Sequence, residues 1–325
     1  DATKVAIVTA ISDALGANYA LIIDLTSQSR NEAAADVNDM LQHNSATISL
    51  LRTTPKYNPS EQQTEEIQDT LMAINTNAII IAAGRGSRMG NLTENRPKCL
   101  LEFGNKTLLE RQLQAYNEAG VSKISLVRGY KKELINYEGI TYFDNENYKK
   151  NNILNSLFYA EEAISGPVII SYSDILFDTS VVRRLLESTH DVSIVVDIDW
   201  RGYYVDRKDH PLEEAENVIF DANNNVVEIG KIKTNRNDVH GEFIGMLKLS
   251  KHGAEIFKRH FHKSKEAYWD KPFQRAAIFQ KAYITDLIQE MSELGVSVHC
   301  VIIERGWKEI DTIEDYEKAL AAFND

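Results

Sequence analysis

The chain has 325 residues, 43% hydrophobic and 26% charged, the composition of a soluble globular protein with room for one large domain or two smaller ones. A net charge of −12 without any dominant Lys/Arg block argues against nucleic-acid or anionic-membrane partners, so any phosphate must be held by a local site. Its two cysteines, Cys99 and Cys300, match no metal or redox spacing and fit a reduced, cytoplasmic protein, and no apolar run reaches membrane-spanning length.

Residues 1–76 read as a small α/β segment of unknown role. Short strands are expected at Lys4–Ala10, Tyr19–Leu25 and Ala46–Arg52, with a helix over Asn31–Gln42. A capping box opening at Pro59-Ser60-Glu61-Gln62-Gln63 predicts a second helix that presents Ile67, Leu71 and Ile74 on one face. The chain begins at Asp1 without a methionine and reads as a fragment; with no chemical motif, this segment reads as the remnant of a fused upstream domain, a docking appendage or a structural extension without catalysis.

From residue 77 the pattern changes. Ala78–Ile81 is an apolar run of the kind that forms a buried parallel strand, and the small residues and glycines from Ala82 to Gly90 predict a tight turn with uncovered backbone N–H groups. Arg88 within the turn and Lys98 after Pro97 add positive charge, which makes the stretch a phosphate cradle. It is not a P-loop, because Gly90 is followed by Asn91 and Leu92 rather than Lys and Ser/Thr. Nor is it the dinucleotide fingerprint, because Met89 occupies the slot of the third glycine.

Further along, Thr107–Glu118 reads as an amphipathic helix with Leu108, Leu109, Leu113 and Tyr116 inward and Gly120 beyond its end. Ile124–Val127 is the next strand and ends in Arg128-Gly129-Tyr130, at the sheet edge where open α/β folds bind ligands. The alternation predicts a doubly wound α/β domain over residues 77–325. The strand Pro167–Ile170 delivers Asp174 to the same edge, where a carboxylate either meets a cation, magnesium being the natural one, or serves a turn or the cap of the following helix. Asp311 comes late, just before Thr312 and Asp315, and is either a helix-cap carboxylate or a second metal ligand. Between the acids, the segment from Asp199 to Glu216 gathers aromatics, acids and cations suited to a zwitterion: Trp200, Tyr204 and the acids Asp199 and Glu216 for an ammonium group, Arg207 and His210 for a phosphonate or phosphate. His260 and His262 have no companion ligands and read as a polar helix face.

The string Ala82-Ala83-Gly84-Arg85-Gly86-Ser87-Arg88-Met89, followed by Arg96-Pro97-Lys98, resembles the signature loop of the nucleotidyltransferases that activate sugar phosphates and small phosphorylated alcohols. Asn151-Asn152-Ile153-Leu154-Asn155-Ser156-Leu157 and Val127-Arg128-Gly129-Tyr130 are similar to elements of phosphocholine and phosphonate cytidylyltransferases, and Asp199–Pro211 is similar to the 2-aminoethylphosphonate cytidylyltransferases. The resemblance covers residues 77 to 323. It implies a Rossmann-like mixed sheet of the nucleotide-diphospho-sugar transferase type. It also implies nucleotide contacts from Ala82, Ala83, Gly84, Gly86, Ser87, Arg88, Gly129, Tyr130, Asn152 and Ser156, catalytic roles for Lys98 and Arg88, and Mg2+ on Asp174 and Asp311.

The implied partners are CTP and a small phosphonate or phosphorylated amino-alcohol, with a homo-oligomer left open. Phosphocholine or a sugar 1-phosphate is the alternative acceptor. A non-catalytic nucleotide-binding scaffold or regulatory subunit is the alternative of another class, and two metal acids argue against it because a binding module has no need of both.

Overall fold

Strand β1 (Asn77–Ala82) is buried along its whole length and lies between two parallel neighbours, β4 (Lys123–Arg128) and β6 (Val168–Tyr172). Burial on both faces is what a continuous apolar run requires. The computed structural model describes residues 72, 73, 75–205, 207–232 and 238–321. The strands and helices expected at 4–10, 19–25, 31–42, 46–52 and 59–74 lie outside the described residues, apart from a few at the last one's end.

The main sheet is mixed, with order β10-β9-β11-β6-β1-β4-β5, and β8 and β12 extend it from β11. Strand β5 (Ile140–Asp144) continues the parallel set beside β4, and β12 (His299–Ile303) runs parallel to β8 (Val192–Asp197). The long strand β11 (Gly241–Leu249) runs antiparallel to both β6 and β8. Its beginning therefore lies at the edge where β6 and β8 end. Strands β9 (Asn217–Phe220) and β10 (Val226–Gly230) pair antiparallel and finish that side of the sheet. The doubly wound α/β expectation for this region agrees with the sheet in both its parallel centre and its mixed character.

Among the described residues two small pairings stand outside the main sheet: a hairpin of β2 (Glu102–Phe103) with β3 (Lys106–Thr107), and an antiparallel ribbon of β7 (Ile175–Phe177) with β13 (Trp307–Glu309). Helix α1 (Leu108–Glu118) starts at a full capping box. Thr107 Oγ1 accepts from Glu110 N–H at 3.1 Å, and Glu110 accepts from Thr107 N–H at 2.7 Å. The helix buries Leu108, Leu109, Ala115 and Tyr116, together with Gln112 where the apolar pattern favours Leu113, which is only half-buried. Gln112 turns inward because its amide N–H group donates to the carbonyls of Tyr172 at 2.9 Å and Ile175 at 2.6 Å. It braces both ends of the turn that carries Asp174.

The short helix α2 (Ile153–Leu157) follows β5, α3 (Thr179–Leu186) follows β7, and α4 (Lys251–Tyr268), α5 (Ile284–Glu293) and α6 (Ile313–Ala321) complete the set. Phe257, Phe261, Leu287 and Ile288 from α4 and α5 join Ile79, Ile170 and Leu247 of the sheet in one apolar core. His262 on α4 pairs with Glu161 at 2.6 Å on a solvated face. Among the described residues no helix is long and apolar enough to cross a membrane.

Candidate active site

The β7–β13 ribbon brings the two candidate metal acids together. Ile175 is in register with Glu309, and Ile310 N–H donates to the Asp174 carbonyl at 2.8 Å, so Asp174 and Asp311 flank the open end of the ribbon. Lys98 joins them. Its Nζ lies 2.9 Å from Asp174 Oδ2 and 2.7 Å from Asp311 Oδ1, with the lysine itself 6% exposed. Burial alone would lower the Lys98 pKa, but the two carboxylates overcome it and hold the ammonium firmly charged. Burial likewise pushes the Asp311 carboxyl up, and Lys98 and Arg88 outweigh it and hold it below the usual carboxylate range.

The glycine loop covers this pair. Gly86 has φ +70°, and a Cβ there would stand 2.9 Å from Lys98 Cβ, so the loop can fold onto the lysine stem only with glycine at this place. Thr93 Oγ1 donates to the Gly86 carbonyl at 2.8 Å, and Met89, fully buried, anchors the turn from below. Ala82 ends β1 inside the core, while Gly84, Ser87 and Arg88 are exposed. The Arg88 guanidinium forms an ion pair with Asp311 while half of its side chain faces solvent. On the far side of the loop, Tyr130 N–H donates to the Ala83 carbonyl at 3.0 Å, and the Tyr130 ring carries the Arg85 guanidinium at 5.7 Å. Gly129 is required for that approach, since a Cβ would meet the Ala83 oxygen at 2.6 Å.

Asn152 caps α2, and its amide also donates to the Lys281 carbonyl at 3.3 Å. Ser156 is buried in a side-chain network with Asn145 at 2.8 Å and Asn151 at 3.2 Å. That network is tied to the end of β4, because Asn145 N–H donates to the Arg128 carbonyl at 2.7 Å. The Asn-rich string thus shapes the wall behind Gly129.

The six residues expected to form one acceptor surface are placed differently. Arg207 is held by Asp315 through Nε at 2.6 Å and Nη2 at 2.9 Å, and by Glu309 at 2.8 Å, so its charge is already matched inside the protein. Trp200, 1% exposed, packs with Ala215, Ile219, Ile232 and Val239. Asp199 is exposed on the turn that follows β8. Arg207 and Trp200 are corrections to the zwitterion reading: a cation and a ring that sequence offers to a ligand are consumed by a buried ion pair and by packing. Tyr204 bonds Glu242, His210 approaches Asp311 at 3.3 Å, and Glu216 accepts from Thr285 Oγ1 at 2.7 Å.

Helix α6 settles the role of its cap. Thr312 N–H donates to Asp315 Oδ2 at 2.9 Å and Asp315 N–H donates to Thr312 Oγ1 at 3.2 Å, so Asp315 completes the capping box and the Asp311 carboxylate remains at the ribbon end. His210, Glu309 and Asp311 offer ligand atoms within 4.8 Å of one another, yet the Arg207 guanidinium is already 2.8 Å from Glu309 and 3.2 Å from His210 Nδ1. Burial and the Arg207 charge pull the His210 pKa down to about 4, so the ring is neutral and accepts at Nδ1. Gln112 escaped the sequence reading, and Glu309, Glu242 and Thr285 stood in strings that gave them no role of their own, because each is defined by a partner distant in sequence.

A glycine loop folded over a lysine that links two carboxylates, at the carboxyl edge of a mixed α/β sheet, defines a nucleotidyltransferase. The chain belongs to the family with the MobA-like NTP transferase domain, whose model matches residues 78–228. It is 30% identical over 253 residues to a CTP:phosphoglutamine cytidylyltransferase of Campylobacter jejuni, a match covering 74% of this chain and 98% of that protein. It is also 35% identical over 107 residues to a 2-aminoethylphosphonate cytidylyltransferase of Lancefieldella rimae, covering 31% of this chain and 44% of that protein. The solved structure of the CTP:phosphocholine cytidylyltransferase of Streptococcus pneumoniae superimposes with a TM-score of 0.58 at 21% identity, over 76% of this chain and 98% of that one, which shows the shared fold.

Proposed function

We propose that the enzyme joins CTP to a small phosphonate or phosphate that carries an amino group, 2-aminoethylphosphonate being the simplest example, and releases pyrophosphate. The observation that carries this reading is the Lys98 ammonium held between Asp174 and Asp311 under the glycine loop. Cytidine as the base is supported by the relative that matches over nearly its whole length and by the partial match to the aminoethylphosphonate enzyme. The first of these makes a phosphorylated amino acid the second candidate acceptor.

An acceptor phosphonate is already anionic at neutral pH, so its oxygen needs no general base to attack the α-phosphorus. The new O–P bond replaces the bond to the β-phosphate, and pyrophosphate leaves with the electron pair. The difficulty is repulsion between two anions, which positioning and charge neutralisation overcome. The loop amides from Gly84 to Arg88 and the Arg88 guanidinium hold the terminal phosphates, and Lys98 stabilises charge at the α-phosphoryl group. Asp174 and Asp311 are hard carboxylate donors on either side of Lys98, and the buried Asp311 Oδ2 has no hydrogen-bond partner, so the two acids would hold a magnesium ion beside the ammonium with its remaining ligands from water and phosphate. Bound there, magnesium would neutralise polyphosphate charge.

The test is pyrophosphate release with magnesium and each of CTP, UTP, GTP and ATP, against 2-aminoethylphosphonate, phosphoethanolamine, phosphocholine, phosphoglutamine and glucose 1-phosphate. Release that requires CTP and an amino-bearing acceptor is expected. Release only with a sugar 1-phosphate, or only with another nucleotide, would overturn the assignment.

A further inference from the structure

We infer that the acceptor nitrogen is a protic ammonium read by the Glu216 carboxylate, and that the site disfavours a quaternary nitrogen. This rests on the cytidylyltransferase reading above. The two kinds of cation are recognised differently. A trimethylammonium has no N–H and depends on open aromatic faces within about 6 Å of a ring centroid, whereas a protic ammonium makes charge-assisted hydrogen bonds to a carboxylate.

On the acceptor side of Asp174 the aromatic faces already carry cations of the chain itself. The Arg207 Cζ lies 4.7 Å from the Tyr203 centroid and 5.0 Å from that of Tyr204, and Arg305 lies 4.5 Å from Tyr203. Arg201 covers Trp200 at 4.6 Å, and Lys231 covers Tyr283 at 5.5 Å. A quaternary nitrogen entering here would have to displace guanidinium groups that are fixed by Asp315, Glu309 and Asp197.

Hydrogen-bonding groups, by contrast, are in place. Glu216 precedes β9, and its carbonyl accepts from Phe243 N–H at 2.8 Å, so the sheet fixes its backbone at the carboxyl edge. Thr285 Oγ1 donates to its carboxylate at 2.7 Å, the residue is half-buried, and burial raises its pKa to about 7, so an ammonium beside it would hold it in the ionised form. Tyr172, two positions before Asp174, connects this recess to the reacting end. The buried Tyr172 hydroxyl is hydrogen-bonded to the Glu216 carboxylate, which ties the two side chains together. An ammonium N–H in the recess would give the Glu216 carboxylate a charge-assisted donor in place of water. Each N-methyl group added to the acceptor removes one such donor.

The experiment is a methylation series with CTP and magnesium: phosphoethanolamine, its N-methyl and N,N-dimethyl forms, and phosphocholine, with 2-aminoethylphosphonate and phosphoglutamine alongside. In the wild type, kcat/KM falls at least about tenfold from phosphoethanolamine to phosphocholine. Glu216→Gln, which keeps the shape, loses about tenfold or more on phosphoethanolamine through KM and flattens the series, while CTP affinity measured by calorimetry stays within about twofold. Equal or better use of phosphocholine by the wild type overturns this inference and leaves cytidylyl transfer standing. So does a Glu216→Gln variant that loses both acceptors equally. Absence of pyrophosphate with every acceptor, in protein that binds CTP, overturns the functional reading and this inference together.

Discussion

Lys98 and Asp311, one directly after the glycine loop and the other at the start of the last helix, meet at 2.7 Å across most of the described chain. Both are nearly enclosed, and Asp174 completes the triad at 2.9 Å. Replacing Lys98 by Ala removes a charged donor from the site of phosphoryl transfer. The expected loss in kcat is about a hundredfold to a thousandfold, the scale of about 3–4 kcal/mol for one such donor. Steady-state kinetics with CTP checks it, and near-normal turnover contradicts the role.

Asp174 is half-buried, and its substitution leaves Asp311 still paired with Lys98 and Arg88. Asp174→Asn is therefore expected to unfold at a temperature close to that of the wild type while losing at least about a hundredfold in rate. Its magnesium requirement should rise as well. Calorimetric melting beside a magnesium titration of the rate separates these effects.

Arg207 gives the opposite expectation. It is bound on two sides by Asp315 and by Glu309, so Arg207→Met leaves buried carboxylates without their cation, a change of about 3–5 kcal/mol in stability. Denaturant unfolding should show that loss. The acceptor KM of whatever folded protein remains should change little, because the charge of the guanidinium is already matched by Asp315 and Glu309.

Glu242 carries a pH signature. Burial, then the neighbouring Glu309, push its carboxyl from 4.5 up to about 8, while the Tyr204 hydroxyl bond acts the other way. Since the folded pKa lies above the unfolded one, the stability it contributes is full below pH 4.5 and is lost progressively as pH rises towards 8. The Glu242→Gln variant has no such proton to lose. Its melting temperature relative to the wild type is expected to climb between pH 4.5 and 8, and a difference that is flat over that window contradicts the assignment.

The cradle was legible in sequence because its chemistry is local: an apolar strand, glycines at places where a Cβ would strike Lys98 or Ala83, and cations at fixed offsets. The parallel strands around β1 were legible for the same reason. What sequence does not reveal is which distant group a charge meets. Arg207 and Trp200 look like ligand contacts until β13 and α6 supply Glu309 and Asp315, and until Ala215, Ile219 and Val239 enclose the indole. Gln112 breaks the apolar face of α1 because it serves the turn before Asp174, and that partner appears only once the chain is folded. Asp311 was ambiguous between cap and metal ligand, and the capping bonds of Asp315 resolve the cap.

The most direct test of the central claim is phosphorus NMR of one reaction: the full chain with CTP, magnesium and the best amino-bearing acceptor of the panel. Cytidylyl transfer predicts that the α-phosphorus of CTP becomes linked to the acceptor phosphorus, with one pyrophosphate formed for each linked product. Formation of CDP with a phosphorylated acceptor, or of CMP and pyrophosphate with the acceptor unchanged, would contradict it.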